Sequence, residues 1–234
     1  MQVPSIDGTF VVADDGRKVA LRCWGEGSPT SLLEGGGPGL EQWGGSPSFV
    51  SPLAAETRVC AYDRAGSGQS DPAPYEPRDA DDVNADLHAL LAAASIAPPY
   101  VLVGSSFGGM IVTYYAAKFP ADVVGVVLLD TPAPSLELTL ENFPEGAWDY
   151  PGNPEHLEVV TEFENRFARE RLPFPAPLIV ITASEGQSGV QDQSIWLDTS
   201  PDATQLQLEG GHDIYRDQPS ECATEVLKLV QAWR

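Results

Sequence analysis

The chain has 234 residues, 42% hydrophobic and 20% charged, an ordinary globular composition with length enough for one large domain and a substantial core. Against 34 Asp and Glu stand only 13 Lys and Arg, a formal charge of −21, so nucleic acid and anionic membrane surfaces are not expected as partners. No apolar run reaches the roughly 18 residues of a membrane span, and the opening MQVPSIDGTF lacks the basic and apolar regions of a signal peptide.

The first element is TFVVADDGRKVALRCW, two β-rich runs around Asp15-Gly16, which predicts a hairpin. Short apolar runs follow at Ser31–Leu33, Arg58–Tyr62, Tyr100–Val103, Val123–Leu129, Leu178–Ile181 and Gln205–Leu208. Runs that are apolar almost without interruption suit strands covered on both faces, as in a parallel sheet. Helices are predicted over Asp79–Ala94, with Val83, Leu87, Leu90 and Leu91 on one side, over Phe107–Phe119, and over Pro219–Trp233. A hairpin followed by alternating strands and helices predicts a doubly wound α/β fold with helices on both faces of the sheet.

From Thr131 to Pro177 the alternation breaks: no strand is predicted, and Phe143, Trp148, Tyr150, Phe163, Phe167 and Phe174 fall here, with a helix expected over Glu155–Leu172. An insertion of this length between two strands predicts a small lid, residues 133–175, over a core of residues 1–132 and 176–234. Cys23, Cys60 and Cys222 lie far apart, each in or beside an apolar segment, and read as reduced core cysteines. None has a Cys or His at ligand spacing, so no metal is expected, and a cytoplasmic location follows.

The stretch that carries chemistry is YVLVGSSFGGM, Tyr100 to Met110. Within it GSSFG fits G-x-S-x-G with Ser106 at the centre, between a strand and a helix. A sharp turn there lifts the serine Oγ above the sheet, and the N–H of Phe107 can donate to a developing oxyanion. Ser105 is the rival, but its neighbours lack the flanking spacing.

A serine nucleophile needs a base, and the chain has three histidines. His88 belongs to a helix surface and His156 to the expected lid. His212, in GGHD between the last strand and the last helix, is the one a loop can aim at the sheet edge. For the carboxylate that orients it, Asp130 at the end of VVGVVLLD is favoured, Glu185 is next, and Asp192 lies further along the same loop as Glu185. LLEGGGPG, Leu32 to Gly39, supplies a glycine-rich turn for a second oxyanion donor, Gly37 first and Gly36 behind it. In YDRAGSGQSDP, Asp63 reads as a local turn aspartate.

With GGGPG, AYDRAGSGQSDP, VLVGSSFGGM, VVLLDTPAP and GGHD in hand, the chain resembles the α/β-hydrolase superfamily over nearly its whole length. The resemblance implies an eight-stranded, mostly parallel sheet with a lid after the sixth strand. It also implies Ser106 as nucleophile, His212 as base and backbone donors at Gly37 and Phe107. Two family histidines are replaced, one by Gly35 at the head of the glycine loop and one by Ser105 before the nucleophile. The usual acid position after the seventh strand is not cleanly filled, and relatives with an acid after the sixth strand match Asp130.

The expected activity is therefore hydrolysis of an ester, thioester or related small acyl compound without a cofactor. A second reading is acyl transfer from a carrier-bound acyl group, with Arg166, Arg169 and Arg171 as a basic patch for an anionic carrier. A third is a non-catalytic ligand-binding protein on the same fold. Oligomeric state is not legible in the chain.

Overall fold

The computed structural model describes residues 3–133, 138–162, 172–186 and 192–234. Its strands are β1 (Ile6–Val11), β2 (Lys18–Trp24), β3 (Thr30–Glu34), β4 (Val59–Asp63), β5 (Tyr100–Ser105), β6 (Val123–Leu129), β7 (Leu178–Ala183) and β8 (Ala203–Leu208). They form one eight-stranded sheet in the order β1-β2-β4-β3-β5-β6-β7-β8. β2 runs antiparallel to both β1 and β4, and every other pairing is parallel. Central strands such as β3, β4 and β5 are buried along their whole length, which is why their sequences are nearly continuous apolar runs.

Helices cover both faces. α1 (Gly39–Gly44), α2 (Pro47–Glu56) and α7 (Pro219–Trp233) bury Trp43, Phe49, Leu53, Val226 and Val230 against one face of β5 and β6. α3 (Ala80–Ala93) and α4 (Phe107–Lys118) bury Leu87, Leu90, Met110 and Tyr115 against the other. Strand alternation sorts the two sets: Val101 and Val103 face the first group, Tyr100 and Leu102 the second. Asp79 caps α3 by accepting from the N–H groups of Asp81 and Asp82, and Asp82 returns a bond to the Asp79 N–H. A short helix, α6 (Ile214–Asp217), precedes α7.

The predicted strands occur within two residues of their expected bounds, save β1, which starts at Ile6 rather than Thr9, and so do the helices expected over Asp79–Ala94, Phe107–Phe119 and Pro219–Trp233. α1 and α2 were not predicted. They start beside Pro38 and at Pro47, and α2 carries Pro52 inside it, so no clean helical period marks them.

Two expectations are corrected. Cys23 and Cys60 are not reduced thiols: they face each other across β2 and β4 and are joined as a disulfide, leaving Cys222 free and buried. The cysteines therefore no longer argue for a reducing compartment. The helix expected over Glu155–Leu172 starts instead at Val159, as α5 (Val159–Glu162), and Leu172 is not helical; residues 163–171 of the expected span, with Phe163, Phe167, Arg166, Arg169 and Arg171, lie outside the described residues. Ahead of it His156 takes a positive φ of 53°, and Leu157 bridges to Arg78, which fastens this stretch to the core. Among the described residues no helix is long and apolar enough to cross a membrane.

Candidate active site

The turn between β5 and α4 places Ser106. Its backbone takes φ 55° and ψ −131°, a conformation that costs a non-glycine residue about 1–3 kcal/mol and holds only where the surroundings enforce it. The Ser106 N–H donates to the Leu129 carbonyl, and the Ser106 carbonyl accepts from the Gly109 N–H, so the strained residue is tied on both sides. The flanking glycines are required by close approach. A Cβ at Gly104 would run into the Gly109 backbone, and one at Gly108 would lie 2.5 Å from the Glu34 carbonyl and 2.7 Å from that of Gly35. Ser105, by contrast, is buried within β5.

His212 stands on the loop between β8 and α6, half-buried, with its ring edge toward Ser106. Nε2 lies 2.9 Å from Ser106 Oγ and Nδ1 lies 2.7 Å from Asp130 Oδ2. Asp130 follows β6 directly, is fully buried, and takes φ 44°. Its Oδ1 accepts from the Gln193 amide at 3.0 Å and the Ala183 N–H at 3.3 Å, so the carboxylate is fixed on one side by the neighbouring β7 region and presents Oδ2 to the imidazole. With the proton on Nδ1 pointing at this carboxylate, Nε2 is the lone-pair nitrogen and faces the hydroxyl. The hydrogen bond to Asp130 raises the imidazole pKa from its ordinary 6.5; burial opposes this, and the Asp130 charge adds to it.

The other titratable candidates lie elsewhere. Glu185 is exposed, and Asp192 is exposed and bonds the Ser194 N–H and hydroxyl at the start of a 3-10 helix over Gln193–Thr199. His88 faces the Tyr115 hydroxyl at 3.1 Å and stacks on Phe119, and His156 contacts the Trp148 carbonyl through Nδ1 at 2.9 Å. Asp63 is a turn aspartate with a wider reach than expected: besides the Gln69 N–H it accepts from the N–H of Leu40, just beyond the glycine loop.

The glycine loop passes directly over the nucleophile. A Cβ on Gly36 would stand 3.2 Å from Ser106 Cβ and 3.5 Å from its Oγ, whereas one on Gly37 would meet open space. Phe107 is the first residue of α4, immediately after Ser106. Beside them opens a cavity of about 420 Å³, lined by Gly36, Arg64 and Phe107 from the core and by Leu138, Phe143 and Leu157 among others from the insertion.

The residues that sequence reasoning missed are those that support this site. Gln193 holds Asp130, and Arg64 holds the glycine loop through Glu34, Glu155 and two loop carbonyls. Arg64 stands in plain view within YDRAGSGQSDP, but Glu155 is 91 residues away and nothing local marks it as a partner.

Known proteins agree with this architecture. A family model described as alpha/beta hydrolase fold matches residues 32–162. The chain is 36% identical over 107 residues to the uncharacterized protein YqjL of Bacillus subtilis, covering 45% of this chain and 41% of that one. It is 29% identical over 164 residues to a 2-hydroxy-6-oxo-2,4-heptadienoate hydrolase of Pseudomonas putida, covering 70% and 57%. The chain thus spans about half the length of these curated relatives. Among solved structures, a bromoperoxidase from Bacillus anthracis superposes with a TM-score of 0.78 at 20% identity, covering 97% of this chain and 100% of that one. The chain belongs to the alpha/beta hydrolase fold family.

Proposed function

We propose that the protein is a serine hydrolase that cleaves an ester, thioester or related small acyl compound through an acyl-enzyme on Ser106. The observation that carries this reading is the continuous relay from Ser106 Oγ to His212 Nε2 at 2.9 Å and from His212 Nδ1 to Asp130 at 2.7 Å. A hydroxyl is a poor nucleophile until a base removes its proton, and the imidazole of His212 lies within reach of Ser106 Oγ with the buried Asp130 carboxylate at its other nitrogen.

In the acylation step the Oγ–carbon bond forms while the hydroxyl proton passes to Nε2, and the carbonyl π electrons move onto oxygen. In this reading the backbone N–H groups of Gly37, with Gly36 behind it, and of Phe107 receive that oxyanion, an interaction stronger in the transition state than in the substrate. The tetrahedral species collapses, the bond to the leaving alkoxide or thiolate breaks, and His212 returns its proton to that group. Water then repeats the sequence against the acyl-enzyme, with His212 as base and then as acid, and frees the carboxylic acid and Ser106. No step calls for a cofactor.

Residues 133–175 are read as a small cap that supplies one wall of the acyl pocket. Leu138, Phe143 and Leu157 give that wall an apolar character, which fits an acyl chain. The test is release of p-nitrophenol from p-nitrophenyl butyrate. The wild type is expected to turn over, and Ser106→Ala to fall to the rate of the buffer. Wild-type protein with no turnover on p-nitrophenyl esters from acetate to octanoate counts against the reading.

A further inference from the structure

We propose that Arg64 is a positioning residue for the proposed reaction, holding the Gly35–Gly37 turn so that its N–H groups face the oxyanion, with Glu34 and Glu155 fixing the guanidinium. This inference rests on Ser106 being the nucleophile.

The geometry is specific to a guanidinium. Arg64 Nε and Nη2 donate to the two carboxylate oxygens of Glu155, at 2.5 and 2.9 Å. Nη1 donates to Glu34 and to the Gly35 carbonyl at 2.7 Å, and Nη2 also donates to the Gly36 carbonyl at 3.3 Å. All five N–H donors are thereby used, in the planar fork that only arginine offers. Tyr62 donates its hydroxyl to the second oxygen of Glu34, and Arg64 and Glu34 are each almost fully buried. Burial disfavours the charge on Arg64, yet Glu155 and Glu34 together hold it firmly protonated.

The consequence for the turn follows from peptide planarity. Within one trans peptide the carbonyl and the next N–H point in opposite directions. The Gly35 carbonyl is drawn to Arg64, so the Gly36 N–H on the same plane points away from it; the Gly36 carbonyl fixes the Gly37 N–H in the same sense. Glycines have the freest backbone of any residue, and three in succession would otherwise sample many orientations. A donor misplaced by a fraction of an ångström loses much of its effect on a developing charge. Glu155 belongs to the insertion, so one side chain joins three parts of the molecule: the end of β3, the turn above Ser106 and the wall of the pocket.

Arg64→Met would strand two buried carboxylates and risk unfolding, so the test uses Arg64→Lys and Glu155→Gln. Each is checked by circular dichroism and assayed on p-nitrophenyl butyrate. Each is also titrated with an alkyl trifluoromethyl ketone, which adds to a serine as an oxyanion. Arg64→Lys is expected to lower kcat about 30-fold or more with KM within threefold, and the ketone inhibition constant to rise by a similar factor; Glu155→Gln should lower kcat less, in the same pattern. A merely structural role would lower thermal stability without weakening the ketone in step with kcat. The inference is overturned if folded Arg64→Lys keeps kcat within threefold of wild type, or if its loss falls in KM with ketone inhibition unchanged. Should Arg64→Lys not fold, the same criteria applied to Glu155→Gln decide. Wild-type protein that neither turns over the ester nor reacts with a fluorophosphonate removes the assignment of Ser106 itself. An active, labelled wild type beside an unaffected variant removes this inference alone.

Discussion

Asp130 and His212 are 82 residues apart in sequence, and a 2.7 Å hydrogen bond joins the carboxylate at the end of β6 to the imidazole on the loop before α6. That bond does two things at once. It fixes which nitrogen carries the proton, and it raises the imidazole pKa, so the group that would accept the Ser106 proton is a stronger base than a free histidine.

A pH dependence follows. Only the neutral imidazole can act as base, so kcat/KM on p-nitrophenyl butyrate should fall on the acid side with an apparent pKa above the ordinary 6.5. The same raised pKa sets a stability term. Protonated His212 stabilises the fold fully below the unfolded-state value near 6.5, and that contribution disappears as pH rises through the higher folded value. A kinetic limb centred below 6.5 would contradict the assignment.

The acid is separable by mutation. Asp130→Asn keeps the shape but removes the charge and allows the wrong tautomer, and kcat should fall about 10³–10⁴-fold. Glu185 is exposed, and Glu185→Gln should leave kcat within twofold. Steady-state kinetics of the two variants decide it; the reverse pattern would move the acid to the loop after β7.

The disulfide gives a direct count. Of three cysteines, Cys23 and Cys60 are joined and Cys222 is free. Titration with Ellman's reagent in guanidinium without reductant should find one thiol, and after reduction and desalting three. Reduction should also lower stability by about 2–4 kcal/mol, the usual effect of opening one such loop, measured by denaturant unfolding. Three thiols before reduction would contradict the bond.

Much of this molecule was legible in the chain because its central strands are buried on both faces. Val123–Leu129 and Leu178–Ile181 are apolar runs that no amphipathic surface helix would carry, and the hairpin was marked by Asp15-Gly16, where Gly16 indeed takes a positive φ of 83°. Ser106, His212 and Asp130 could be named as candidates because each follows directly on a strand or lies just beyond one, and strand ends in a parallel sheet gather at one edge. What could not be read depended on pairing between distant segments. Whether Cys23 faces Cys60 is set by β2 lying beside β4, and nothing in either strand states that register. Arg64 has the same character, since one carboxylate partner ends β3 and the other sits in the insertion. The start of the insertion helix was misplaced for a local reason: His156 leaves the helical region at φ 53°, and Leu157 is taken up by the bridge to Arg78.

The most direct measurement is covalent. Incubation with a fluorophosphonate followed by peptide mass spectrometry should place a single adduct on Ser106 in the wild type and none in Ser106→Ala, with labelling of His212→Ala slowed by orders of magnitude. An adduct on Ser105, or equal labelling of wild type and Ser106→Ala, would contradict the account.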